Sequence, residues 1–441
     1  MATAFADPVM PFPGFDRDSD DNILVNPQAT ADESVHEVYT RLRRDDPVHW
    51  CQPTGYRPFW AITRHADITT VSKANSKFIN AKRTYLAPAE AEKWTLDTVG
   101  DTHLLRTLVD LDDPQHMKLR RLTHDWFLPA NLRKLEPMIK AVAKDHVDRM
   151  ATLGGECDFV NEVALFYPLR VIMSILGIPE SDESMMLRMT QEMFGAQDPD
   201  VVARSKLITQ GVGYQAGSGN PQVDLFQLVQ EYFAYFGAIT TDRRANPRDD
   251  LSTIIANGMI DGAPIGELEA MSYYIITATA GHDTTSSTAS GGLEQLIRNP
   301  GELAKLQADP SLLPGAVEEM IRWVTPVKHF MRTATEDTEL GGKLIREGDG
   351  LCLFYWSGNR DERAFADPFE FKVDRTSNPQ VAFGNGVHMC LGLHLARLEI
   401  RLLMAELLPR LKAISLAGEP KNSIANFVSG RKTLPIRYDL Q

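Results

Sequence analysis

The stretch Phe383-Gly384-Asn385-Gly386-Val387-His388-Met389-Cys390-Leu391-Gly392 puts two glycines ahead of a cysteine, with an amphipathic helix directly after it. A cysteine at a helix N-terminus meets free backbone N–H groups and the positive end of the helix dipole. Both favour its thiolate, and glycine permits the turns that aim those amides at sulfur. Cys51, Cys157, Cys352 and Cys390 are widely spaced and form no CxxC pair, which argues against a disulfide framework and against structural zinc. Three of them read as buried packing residues. Cys390 is a single soft, anionic ligand without a partner, and that suits haem iron, where a thiolate pushes electron density that favours O–O cleavage. The plain alternative is a structural cysteine at a turn.

A second cluster is Ala280-Gly281-His282-Asp283-Thr284-Thr285, near the middle of a helix read from Glu267 to Arg298. Glycine inside a helix costs about 1 kcal/mol relative to alanine, so its presence asks for a reason. A small Ala280–Gly281 pair lets another group approach closely, and Thr284 can bond back to the carbonyl four residues earlier and loosen the turn. Such a groove would admit dioxygen. Asp283 sets an ionisable acid beside a hydroxyl, the parts needed to pass protons toward bound oxygen through water. A polar kink in a buried helix is the bland reading.

Glu319 and Arg322 lie three apart on one helix face, where an ion pair ordinarily contributes only about 0.2–0.5 kcal/mol. His116 and Arg120 share a face at i, i+4, a spacing that lets two donors reach one carboxylate. Taken alone, each of these pairs reads as solvated surface charge.

Together the motifs resemble the cytochrome P450 family over essentially the whole chain. Phe383, Gly386, Cys390 and Gly392 fall on its FxxGxxxCxG pattern, Ala280 to Thr284 on (A/G)Gx(D/E)T, and Glu319 with Arg322 on ExxR. The resemblance implies a mainly α fold with a small β region, a single helix-rich triangular domain over residues 1–441 that encloses haem b (iron protoporphyrin IX). It implies Cys390 as the axial ligand, held in a loop with Phe383, Gly384 and Gly392, and Ala280 and Gly281 over the opposite haem face. Asp283 and Thr284 would deliver protons. His116, Arg120, Arg332 and His388 would contact the haem propionates, and Arg375 would join Glu319 and Arg322 in a folding network. The stretches around 280, 330, 390 and 430 are most similar to the bacterial terpineol-hydroxylase branch. That similarity implies oxidation by O2 of a small hydrophobic cyclic substrate, a monoterpene or an alkylated or fused aromatic hydrocarbon. Electrons would come from a 2Fe–2S ferredoxin and its NAD(P)H-dependent reductase. By position, Ile276, Ala280, Val327, Phe330 and Phe427 are the candidate substrate contacts. Monomer is the family's habit.

Three other readings use the same residues. A peroxide-driven peroxygenase would not need the Asp283–Thr284 path. A non-catalytic haem sensor or carrier would take His116 or His388 as its axial ligand. A cysteine nucleophile needs a base in reach, and a histidine two residues away rarely faces the same reacting atom.

These side chains need elements to hold them. After a Pro- and Asp-rich lead-in, read as extended to about residue 32, the spacing predicts a helix over 33–44 and short strands at 48–50 and 59–63. From Pro114 to Trp323 the pattern is mainly helical, with helices over 183–194 and 223–244. They are joined by the Gly-rich stretch 211–222, which reads as a mobile lid or an ordinary surface loop. Beyond Pro326 the chain is strand- and loop-rich until a long helix over about 391–411.

Hydrophobic residues make up 43% and charged residues 24% of the 441, ordinary globular usage that supports a large core without repeats. A net charge of −13 repels phosphate backbones and anionic lipid, which argues against nucleic acid as a partner. No stretch reaches the roughly 18 apolar residues of a membrane span and the N-terminus lacks an apolar leader, so no anchor and a cytoplasmic location are expected. Lys118, Arg120 and Arg121 form a local basic cluster. It could dock an acidic iron–sulfur protein or be a solvated helix face.

Overall fold

The computed structural model describes residues 19–195, 198–200, 203 and 220–441. Its axis is the helix Glu267–Arg298, which spans the range expected from its periodicity, begins with Glu267 and Glu269 in the first turn and ends with Arg298 in the last. Those charges complement the helix dipole. Its flanks are small, and smallness is what admits the neighbouring helices. A Cβ on Gly291 would come within 2.7 Å of Val324, and one on Gly292 within 2.7 Å of Met320. The helix Leu313–Val324 therefore packs closely against it, while Phe166–Leu176 covers another side and Leu393–Leu407 packs on Pro129–Ala151.

Beside this helical body stands a five-stranded sheet in the order Val48–Cys51, Phe59–Ile62, Gly350–Phe354, His329–Ala334, Phe78–Ile79. All neighbours are antiparallel except Phe59–Ile62 with Gly350–Phe354. Two of the three inner strands, 329–334 and 350–354, are almost wholly buried, as strands covered on both faces must be. A second sheet joins Leu411–Leu416, Pro435–Leu440 and Glu156–Asp158.

Two expectations need correction. The lead-in is not extended up to residue 32: Asp20–Val25 and Pro27–Ala31 are short helices. Asn26 caps the second by accepting from Gln28 N at 2.9 Å, with Pro27 in the first helical position; an Asn-Pro pair marks a helix start. The burial of Leu24 and Val25 and the bond from Thr54 N to Asn22 Oδ1 (2.8 Å) hold it to the body. At the other end the helix read to 411 stops at Leu407, because Pro409 cannot continue it, and the chain turns into the strand Leu411–Leu416. The helix expected over 33–44 runs Val35–Asp45, after Glu33 at φ 66°. Of the Gly-rich stretch 211–222, residues 211–219 lie outside the described residues. Asn220 caps the helix Pro221–Ala245, accepting from Gln222 N at 3.0 Å.

Glu319 and Arg322 are fully buried, unlike an ordinary surface pair. Arg322 forks onto both carboxylate oxygens at 2.7 Å and donates to the carbonyls of Asn359 and Pro368 at 2.8 Å. Glu319 also accepts from Arg375 (2.9 Å), Lys372 N (3.0 Å) and Asn378 (3.2 Å). Asn359 carries the network onward, accepting from Val381 N at 2.8 Å just before the cysteine loop. Removing one member leaves the other charged and buried. Arg322→Ala is therefore expected to cost about 3–5 kcal/mol, read as a fall in the denaturant midpoint of unfolding.

Candidate active site

The cysteine loop is shaped by two glycines in the left-handed region, Gly384 at φ 69° and Gly386 at φ 73°. At Gly386 the requirement is steric too, because a Cβ would lie 2.3 Å from the Ser72 carbonyl oxygen. The loop closes through Cys390 N to Phe383 O (2.9 Å) and Met389 N to Gly386 O (3.2 Å), and the helix Leu393–Leu407 begins after Gly392. The dipole argument made from sequence is only part of the balance at sulfur. Burial pushes the Cys390 thiol up, against the Gly392 N–H and the Arg120 and Arg397 guanidinium groups, which favour the thiolate. In such a site a coordinating metal cation is what deprotonates a thiol outright.

Cys390 lies in the wall of a cavity of about 1030 Å³, and Ala280, Gly281 and Thr284 of the long helix line the same cavity. Thr284 bonds back to the Ala280 carbonyl at 2.9 Å, as its position predicts. The group that Gly281 admits is Ile172 of the neighbouring helix: a Cβ there would sit 3.0 Å from its side chain. Asp283 is absent from the cavity wall and shares no hydrogen bond with Thr284. Burial pushes its carboxyl up to about 8, and its Oδ2 has no partner.

His116, Arg120, Arg332 and His388 all line the cavity. The rings of His116 and His388 are 4.2 Å apart, and Arg120 ties this corner to the cysteine loop through Met389 O at 2.7 Å. Burial, with Arg332, His116 and Arg120 nearby, pushes His388 down to about 2. Nε2 of His116 and Nε2 of His388 are buried without a hydrogen-bond partner, while His116 Nδ1 approaches Asp113 Oδ1 at 3.5 Å. Donors left unpaired in this way call for an acceptor, and an anionic group held between these four side chains supplies it. The donor set therefore fits the two carboxylates of a haem. Of the basic cluster around residue 120, Lys118 pairs with Asp261 and Arg120 turns toward Met389, so Arg121 alone faces outward.

Much of the cavity lining is apolar. Ile276, Val327, Phe330 and Phe427 line the cavity, as expected by position. Phe427 packs edge-to-face on Phe330 at 5.3 Å and stacks on Tyr85 at 5.3 Å. Tyr85, Trp94, Leu105 and Leu108, from the stretch between the first sheet strands and His116, line it too and were not anticipated, since that stretch carries no motif.

The cytochrome P450 family model matches residues 23–439, so the chain belongs to that family, whose cofactor is protoporphyrin IX haem iron and whose members act as monooxygenases. Among curated relatives, cytochrome P450-terp of a Pseudomonas species is 41% identical over 94% of this chain and 96% of its own length. Linalool 8-monooxygenase of Pseudomonas putida is 31% identical over 94% of this chain and 98% of its own. Among solved structures, CYP108D1 from Novosphingobium aromaticivorans superposes with a TM-score of 0.86 at 41% identity, covering 96% of this chain and 98% of that one. A Mycobacterium marinum P450, CYP268A2, in complex with pseudoionone gives 0.84 at 34%, covering 97% and 99%. Among the described residues no helix is long and apolar enough to cross a membrane.

The contact at Gly386 is backbone against backbone, so no side chain can yield. Gly386→Ala is expected to give protein that does not retain haem, checked by the ratio of Soret to protein absorbance after purification.

Proposed function

We propose that this monooxygenase inserts one oxygen atom from O2 into a C–H bond of a small hydrophobic cyclic substrate, a monoterpene in the first instance, with electrons from a 2Fe–2S ferredoxin. The observation that carries the reading is one cavity lined together by Cys390, by Ala280, Gly281 and Thr284, and by the apolar Ile276, Val327, Phe330 and Phe427. Haem supplies, when bound, the activation of dioxygen and its transfer to carbon. Cys390 Sγ would ligate the haem iron, and His116, Arg120, Arg332 and His388 would seat the propionates. Glu319, Arg322 and Arg375 keep the loop in place from behind.

The chain's chemical work is then positioning, exclusion of water and proton supply. The apolar lining holds substrate by shape, as pockets for small hydrocarbons do. The Thr284 hydroxyl is in the cavity wall, and the Asp283 carboxyl stands behind it as a buried acid. Its raised value means that it is protonated below about pH 8 and ionised above. Buried proton storage beside the groove favours the O2-dependent route over peroxide-driven turnover. The close pairing of His116 with His388, beside Arg332 and Arg120, suits an anion better than an iron ligand and disfavours a sensor or carrier with a histidine axial ligand.

Substrate class is tested by optical titration of the ferric holoprotein with terpineol, limonene and cymene against biphenyl and phenanthrene. A high-spin Soret shift with the monoterpenes is expected, and a shift with the fused aromatics alone would replace that assignment. The proton role predicts a pH profile. Product formed per reducing equivalent should fall as pH rises through about 8 in the wild type. Asp283→Asn should lower product formation by roughly 10²-fold or more and remove that alkaline limb.

A further inference from the structure

His329 opens the inner strand His329–Ala334 and is buried, behind the cavity lining and not part of it. Its backbone pairs with Phe354 in the sheet, but its ring reaches a segment outside the sheet. The Leu86 N–H donates to His329 Nε2 at 3.1 Å. An imidazole nitrogen accepts only when it carries no hydrogen, so the proton of the neutral ring is on Nδ1. Burial pushes the ring down to about 3, so Nε2 remains an acceptor at any ordinary pH.

That bond sits where three segments meet. Leu86 N belongs to the peptide unit that follows Tyr85, and the same segment is tied to the strand again where Met331 N donates to Thr84 O at 2.8 Å. From the C-terminal turn, Phe427 packs on the His329 ring with centroids 5.4 Å apart, and its carbonyl accepts from Lys328 N at 2.8 Å. Phe427 in turn stacks on Tyr85 at 5.3 Å with 27° between the planes, and meets Phe330 edge-to-face at 5.3 Å. Tyr85, Phe330 and Phe427 all line the cavity. His329 therefore backs an aromatic wall. It touches the two members that come from irregular chain, the backbone beside Tyr85 and the ring of Phe427, which have no ladder of their own to fix them.

We propose that His329 is a positioning residue for substrate selection: by accepting from the Leu86 N–H and packing on Phe427, it holds the Tyr85 and Phe427 rings in one arrangement, so that substrate meets a wall already ordered. The proposal rests on Phe330, Phe427 and their neighbours being substrate contacts, but not on the substrate being a monoterpene. Preorganisation has a measurable consequence. A ligand that touches a loose wall must order it at each binding event, whereas a ligand too short to reach it need not.

The test compares two nitrogen ligands of haem iron by optical titration of the ferric holoprotein: imidazole, and 4-phenylimidazole, which adds an aryl group. His329→Leu removes the acceptor. His329→Asn keeps a polar side chain that is too short to reach Leu86, an arm that stands even if the leucine variant does not fold. Each should weaken 4-phenylimidazole by roughly tenfold, the cost of ordering two aromatic side chains, and leave imidazole within about twofold of wild type. His329→Gln, whose carbonyl oxygen reaches the place of Nε2, should restore the wild-type ratio. An unchanged ratio in a folded leucine or asparagine variant would overturn the role of His329, and so would an equal loss of both ligands, which would mean general damage to the haem site. A glutamine variant that behaves like the leucine variant would overturn the assignment of the Nε2 acceptor as the operative contact. These ratios do not depend on which hydrocarbon shifts the Soret band, so the monoterpene assignment can fail without them.

Discussion

A cysteine sulfur has to be presented at a fixed point on the wall of a cavity by a loop that makes little secondary structure of its own, and the remainder of the molecule is arranged around that constraint. The loop keeps its path because Gly386 presses against the Ser72 backbone and because Val381, at its entrance, is tied through Asn359 to a carboxylate–guanidinium pair with no exposure to water. A buried ion pair is a weak source of net stability. Here its value is geometric: Glu319 accepts from four residues on two segments, its own helix and the stretch 372–378, and allows them one arrangement.

The same economy of exposure divides the cavity into regions of different chemistry. A basic corner of two histidines and two arginines keeps buried nitrogens without partners, which suits the anionic edge of a flat cofactor. Another part of the lining, around Tyr85, Phe330 and Phe427, is aromatic and offers substrate shape rather than hydrogen bonds. Between them the long helix presents small residues and Thr284, while Asp283, the acid proposed to supply protons, is set back from the wall, where burial raises its carboxyl. Asp283 and Thr284 are adjacent in sequence but share no hydrogen bond, so proton transfer between them needs water or a side-chain movement.

Much of this was legible in the residues because short-range rules govern it. The helix Glu267–Arg298 was readable at both ends from its period and its terminal charges, and the back-bond of Thr284 follows from helix geometry alone. The cysteine loop, the ExxR pair and Arg375 were recognised from spacing and resemblance. Parts that depend on contacts distant in sequence were not legible. The two helices between residues 20 and 31 are short and are held by tertiary contacts, so a lead-in rich in Pro and Asp concealed them. Tyr85, Leu105 and Leu108 reach the cavity from irregular stretches and Trp94 from the helix Ala89–Val99, and none of these segments carries a motif. The burial of His282 was not legible either, because its hydrogen-bond partners, Leu165 and Thr190, lie on two other segments.

The central claim is that Cys390 supplies the thiolate to the haem iron, and the ferrous carbon-monoxide complex tests it most directly. The wild type should give the strongly red-shifted Soret band of a thiolate-ligated haem, and Cys390→Ser should lose that band even where it still binds haem. A Cys390→Ser protein that kept the red-shifted band, or a wild type that lacked it, would contradict the account.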